Sequence, residues 1–93
     1  MFVINLKYIV PSGKVEKIRA EHIKFLDKFY SEGKFLISGR KYDGSGGLII
    51  AISESKEEVE EIIRQDPFIK SQVAEYEIIG FNPTKKLDIL DNL

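Results

Sequence analysis

The first stretch, Phe2 to Ile9, carries apolar residues at strand spacing and stops at Pro11-Ser12-Gly13, a turn. The period then changes. Val15, Ile18, Phe25, Leu26 and Phe29 fall on one stripe of a helix spanning about Lys14 to Glu32, with Ser12 as its candidate N-cap and Gly33 as the expected C′ residue. Lys34 to Gly39 reads as a short strand and Arg40 to Gly47 as a glycine-rich loop. Leu48 to Ser53 is a continuous apolar strand. Ser55-Lys-Glu-Glu58 matches a capping box, and the stripe Val59, Ile62 and Ile63 continues that helix to near Gln65. Asp66-Pro67 breaks the pattern, and a short turn covers Pro67 to Lys70. Val73 to Asn82 is the last strand, and Thr84 to Leu93 is a tail with Leu87, Leu90 and Leu93 at helical spacing.

The order β-α-β-β-α-β predicts an α+β, ferredoxin-like fold: a four-stranded antiparallel sheet with both helices on one face. The strands are apolar at both parities, however. Phe35 and Ile37 oppose Leu36; Leu48, Ile50 and Ile52 oppose Ile49 and Ala51; Ile78 opposes Ile79 and Phe81. A sheet open to water on one side keeps that side polar. The second face is therefore expected to be covered by a second copy of the chain, a homodimer, or else by the tail.

At 93 residues the chain reads as one domain, 1–93, with 84–93 as its tail. Lysines and glutamates are interspersed and the formal net charge is -1, so no basic stripe marks a nucleic-acid surface. No apolar run reaches the roughly 20 residues that span a bilayer. The N-terminal residues lack the marks of a signal peptide, and there are no cysteines, which suits a cytoplasmic protein. Without cysteine and with a single histidine, no metal centre is expected.

That histidine, His22, lies inside the apolar stripe, four residues after Ile18 and three before Phe25. A group that titrates near neutral pH thus faces the core or a pocket in it, and needs a hydrogen-bond partner there. The topology brings the start of the first helix, the Arg40–Gly47 loop and Asp66 to one end of the fold. Asp66 can orient the imidazole as the carboxylate of a base dyad does. It can equally be a helix N-cap with proline at N1. His22 can equally be a histidine satisfied by a backbone carbonyl. Arg40 and Lys41 can bind a carboxylate or phosphate, or stand solvated beside the turn, and Arg19 can point toward the same mouth. The N–H groups of the Gly44–Gly47 run can face an anion, or the run can be a plain hairpin connection. Tyr8 and Tyr42 can be hydrogen donors at this end, or simply strand tyrosines. Ser38, Gly39, Arg40, Gly46, Gly47 and Tyr8 are the residues expected around a substrate.

With these residues in view, the chain resembles the YciI-like (YCII-related) family of dimeric α+β barrel proteins over about residues 1 to 84. The resemblance rests on His22 followed by Phe25-Leu26, on Phe35-Leu-Ile-Ser-Gly39 leading to Gly46-Gly-Leu-Ile-Ile-Ala51, on Asp66-Pro-Phe68, and on Tyr76-Glu-Ile-Ile-Gly-Phe81. It implies a homodimer and a His-Asp pair as active site, carried here by His22 and Asp66. Arg40 stands where the family commonly has a proline after Gly39.

The expected function is that of a small cofactorless enzyme. His22, oriented by Asp66, moves a proton on a small polar or aromatic substrate, in elimination, isomerisation or hydrolysis. The alternative is a dimeric module that binds a small ligand or a partner without turnover. No nucleic acid and no membrane is expected as a partner.

Overall fold

β1 (Phe2–Tyr8) buries Phe2, Ile4 and Leu6 on one face and turns Val3, Asn5 and Lys7 to the other, as the two-residue period of a strand requires. The computed structural model describes residues 1–93. β1 lies between β3 (Gly46–Ala51) and β4 (Ala74–Gly80), and β2 (Phe35–Arg40) pairs with β3. All three pairings are antiparallel, giving the order β2-β3-β1-β4. The α+β fold with a four-stranded antiparallel sheet is as the pattern predicts.

Four helices cover one face, where two were expected. α1 (Ser12–Glu16) and α2 (Arg19–Ser31) replace the first helix. The break lies at Lys17-Ile18, where the Ile18 N–H bonds the Val15 carbonyl three residues back, tightening the turn. Ser12 is the first helical residue and makes no cap bond; Pro11 precedes it. Gly33 does take the positive φ, 71°, that ends α2. α3 (Lys56–Ile63) starts at Ser55, whose side chain accepts the Glu58 N–H. The expected turn after Asp66 is a one-turn helix, α4 (Pro67–Lys70).

Phe25 and Phe29 of α2 and Val59, Ile62 and Ile63 of α3 pack on Phe2, Ile4, Leu6, Phe35, Ile49 and Ala51 of the sheet. A smaller cluster of Val15, Phe68, Val73 and Ala74 closes the end where α1 and α4 meet.

The outer face differs from expectation at β2. The register passes from Phe35 opposite Ala51 to Ile37 opposite Ile50, so Leu36 is bulged out of the ladder. The extra residue reverses parity. Phe35 and Ser38 face the helices, while Ile37 joins Val3, Leu48, Ile50 and Ile79 on the uncovered face. The tail forms a short 3₁₀ turn at Asp88–Leu90, with Leu87, Ile89 and Leu93 exposed.

Candidate functional site

Asp66 follows the last turn of α3 and starts α4. Its backbone is extended, Pro67 supplies the fixed φ of a first helical residue, and its Oδ1 accepts the Phe68 N–H at 3.0 Å. The same Oδ1 lies 2.8 Å from His22 Nδ1. The two sequence readings of Asp66, N-cap and histidine partner, therefore hold together on one oxygen. Against an ionised carboxylate, which only accepts, the tautomer that fits this contact carries its hydrogen on Nδ1 and leaves Nε2 for another molecule. Asp66 is 0% exposed and His22 8%. Asp66 Oδ2 is buried and has no donor.

The ring is also held face-on. His22 stacks on Phe68 with centroids 3.9 Å apart and planes 10° from parallel. Phe68 in turn meets Tyr8 edge to face at 5.8 Å. Phe68 was visible in the Asp66-Pro-Phe68 run, but its role as the floor beneath the imidazole was not, because stacking joins residues distant in sequence.

His22 forms part of the wall of a cavity of about 230 Å³ between α2 and the β2–β3 hairpin, together with Tyr8, Ser38, Gly39, Arg40 and Gly47 among others. A cavity of about 150 Å³ already accepts benzene, so there is room for one substituted ring. Leu6, Ile23, Leu26, Leu48, Ile49 and Phe68 make much of the wall apolar. A wider, more open depression of about 470 Å³ lies at the other end, lined by Met1, Phe2, Ser53, Glu54, Gly80, Phe81 and Asn82. It contains no histidine, so its larger volume does not make it the better site.

Gly46, expected near a substrate, does not line the cavity. It is buried opposite Lys7, where a Cβ would come 1.8 Å from the Leu6 carbonyl oxygen. Glycine is required there by the neighbouring strand. The expected Arg40–Gly47 loop shrinks to Lys41–Ser45, since Arg40 and Gly46 belong to strands. The N–H groups of Lys41, Gly44 and Ser45 bond Gly46 O, Lys41 O and Asp43 Oδ1, so they are not turned to an anion.

Ser38 does not pair with His22. Its Oγ lies 2.7 Å from the Tyr30 hydroxyl, tying β2 to α2 beside the cavity. At the mouth, Glu16 receives Arg19 through both carboxylate oxygens, at 2.8 and 2.9 Å, and Arg40 at 3.2 Å. Glu16 was missed: nothing in the sequence joins the end of α1 to the end of β2. No group of three or more His, Asp or Glu side chains is placed so that it could hold a metal ion.

The model of the YCII-related domain matches residues 1–82. The chain belongs to this family. An uncharacterised Bacillus subtilis (strain 168) protein, YjpA, is 31% identical over 75 residues, covering 76% of this chain and 88% of YjpA. A solved structure, the 5-chloro-2-hydroxyhydroquinone dehydrochlorinase TftG of Burkholderia phenoliruptrix AC1100 in complex with 2,5-dihydroxybenzoquinone, superposes with a TM-score of 0.74 at 23% identity. The match covers 87% of this chain and 92% of that one. That likeness carries the fold. No helix here is long and apolar enough to cross a membrane.

Proposed function

We propose that this YCII-related protein is a small cofactorless enzyme in which His22 moves a proton on a small polar or aromatic substrate. Nε2 takes a proton from a substrate hydroxyl or an activated C–H. The resulting imidazolium is held against Asp66 Oδ1, and Nε2 returns the proton to a second atom, to a leaving group or to water. Asp66 keeps Nδ1 protonated and fixes the ring without taking the proton itself. The observation that carries this reading is the buried 2.8 Å bond between Nδ1 and Oδ1 at the wall of a ring-sized cavity. TftG, an eliminating enzyme caught with a quinone, suggests hydroxylated rings as the first substrates to try.

The test is exchange of substrate C–H for deuterium in D₂O, or halide release, across a panel of hydroxyquinols and chlorohydroxyquinols. Wild type should act on at least one of them. His22→Ala should lose about 10²- to 10⁴-fold in rate while keeping its fold by circular dichroism. Binding without turnover across the panel would favour a ligand-binding module instead.

The reading includes a homodimer through the uncovered sheet face, and a cytoplasmic location that a chain with no cysteine suits. Val3, Ile37, Leu48, Ile50 and Ile79 share that face, and Ile37, Leu48 and Ile79 are exposed in the single chain. Light scattering should give twice the 10.7 kDa chain mass, and Ile37→Asp should shift it toward one. A monomeric wild type would overturn the dimer.

A further inference from the structure

The cavity wall carries two guanidinium groups and no carboxylate. Arg19 begins α2 and Arg40 ends β2, so they approach the mouth from different layers of the fold. Asp66, bonded to the His22 ring, is buried and is not part of the wall. What joins the two arginines is Glu16 at the end of α1. The Lys17-Ile18 break sets it beside Arg19, and its Oε1 receives both Arg19 Nη2 at 2.8 Å and Arg40 Nη2 at 3.2 Å. Oε2 receives Arg19 Nε at 2.9 Å, completing a two-bond fork.

We infer that the substrate carries a carboxylate, that Arg19 and Arg40 bind it, and that Glu16 is an internal stand-in which this carboxylate displaces. The mouth already holds a carboxylate in the geometry that guanidinium forks select. Glu16 is also easily given up. Its side chain is about half exposed, at 53%, and exposed ion pairs are weak. On release it can swing into water, while a ligand that reaches the arginines from inside the cavity also gains the contact of its ring with the apolar wall. Two positive charges against one leave the mouth attractive to an anion even before Glu16 moves. This inference rests on the proton-transfer reading only in using the same cavity.

The experiment is a binding titration with two probes of one shape, 4-hydroxybenzoate and the uncharged 4-hydroxybenzamide. Chemical shifts of the His22 ring report occupancy. Wild type should bind the acid about tenfold more tightly than the amide, the margin of one charge-assisted contact. Added salt should shrink that margin. Arg40→Met and Arg19→Met should each reduce it, and Glu16→Gln should tighten the acid severalfold while leaving the amide unchanged. Equal affinity for acid and amide, no binding of either, or weaker acid binding in Glu16→Gln would overturn the inference. Because binding is read without turnover, a protein that binds the acid but catalyses nothing sinks only the enzyme reading. Turnover of neutral substrates with no preference for acids sinks only this one.

Discussion

Two carboxylates stand near two helix starts at opposite ends of the sheet, and they are treated in opposite ways. Glu58 lies in the first turn of α3. One of its oxygens receives the Ser53 hydroxyl at 2.7 Å and the other the Lys34 ammonium at 3.1 Å. The expected capping box closes through an inserted hydroxyl: Ser55 Oγ accepts the Glu58 N–H, and Ser53 Oγ takes the Ser55 N–H that Glu58 was expected to reach. Each of its oxygens has a donor, and the side chain is partly exposed. Asp66 is sealed from water, loads two donors on one oxygen and leaves the other with none. A buried carboxylate oxygen without a donor is costly. A cap alone needs neither that burial nor a histidine. The difference separates a carboxylate that secures a helix from one that also holds an imidazole in place.

The comparison breaks most visibly at Phe68, which supports the Asp66 end and has no counterpart near Glu58. Phe68 is 1% exposed, stacked on His22 and packed with Val15, Val73 and Ala74. Phe68→Ala should cost about 3–5 kcal/mol in urea unfolding. A cost near 1 kcal/mol would mean that this end collapses easily and that the imidazole is not firmly seated.

Next comes Asp66→Ala, which should cost about 2–4 kcal/mol, because it removes a cap and leaves the His22 Nδ1–H and the Phe68 N–H without their acceptor. Glu58→Ala should cost no more than about 1 kcal/mol, since its partners turn to water. Equal losses in paired chemical-denaturation curves would erase the distinction drawn between the two carboxylates.

Asp66→Asn sharpens the comparison by separating cap from dyad. Asparagine caps nearly as well, so the stability loss should be roughly 1 kcal/mol. The ring, however, loses the carboxylate that fixes its tautomer. Long-range ¹H–¹⁵N spectra should show His22 protonated on Nδ1 in wild type, and a mixture of tautomers in the variant. Unchanged ring-nitrogen shifts would mean that the tautomer is held by something other than Asp66.

The two ends were unequally legible in the sequence. The strands and the apolar stripes of both helical segments follow from local periodicity, so Phe25, Phe29, Val59, Ile62 and Ile63 could be assigned to the core directly, and the antiparallel sheet follows from the order of the elements. The approach of His22 and Asp66 followed from topology alone, because a strand-helix-strand order leaves few places for the ends of helices. What periodicity could not carry were single-residue departures. The bulge at Leu36 reverses the facing of Ile37 and Ser38, and the tight turn at Ile18 splits one helix into two. Neither leaves a glycine or proline as a sign. The Glu16 bridge between Arg19 and Arg40 and the stack of Phe68 under His22 depend on tertiary neighbours: both arginines could be placed near one mouth, but nothing local marked Glu16 as what joins them or Phe68 as what seats the ring. Gly46 shows the converse. It looked like part of a ligand loop because of its glycine neighbours, and the strand beside it is what demands the glycine.

The smallest expected effect concerns acid, and it tests the Glu58 side of the comparison. The Ser53 hydroxyl first, and the Lys34 ammonium second, hold the Glu58 carboxyl below the ordinary glutamate value of 4.5. A lowered folded-state value means that the unfolded chain takes up the proton first as pH falls. The stabilisation is therefore fully present above pH 4.5 and is lost as pH drops through the lowered folded value. Because the Glu58 side chain is 41% exposed, the whole contribution is about 0.5 kcal/mol after allowing for solvent screening. Glu58→Gln should accordingly be slightly less stable than wild type at pH 7, and the gap should close on the acid side of pH 4.5. Ser53→Ala should reproduce most of that pH-dependent part, since it removes the larger of the two causes. Thermal unfolding of the three proteins at matched ionic strength, from pH 7 to pH 3, measures the gap. A difference between Glu58→Gln and wild type that stays constant over this range would show that the hydrogen bonds to Glu58 do not favour its charged form, and would leave this helix start held by Ser55 alone.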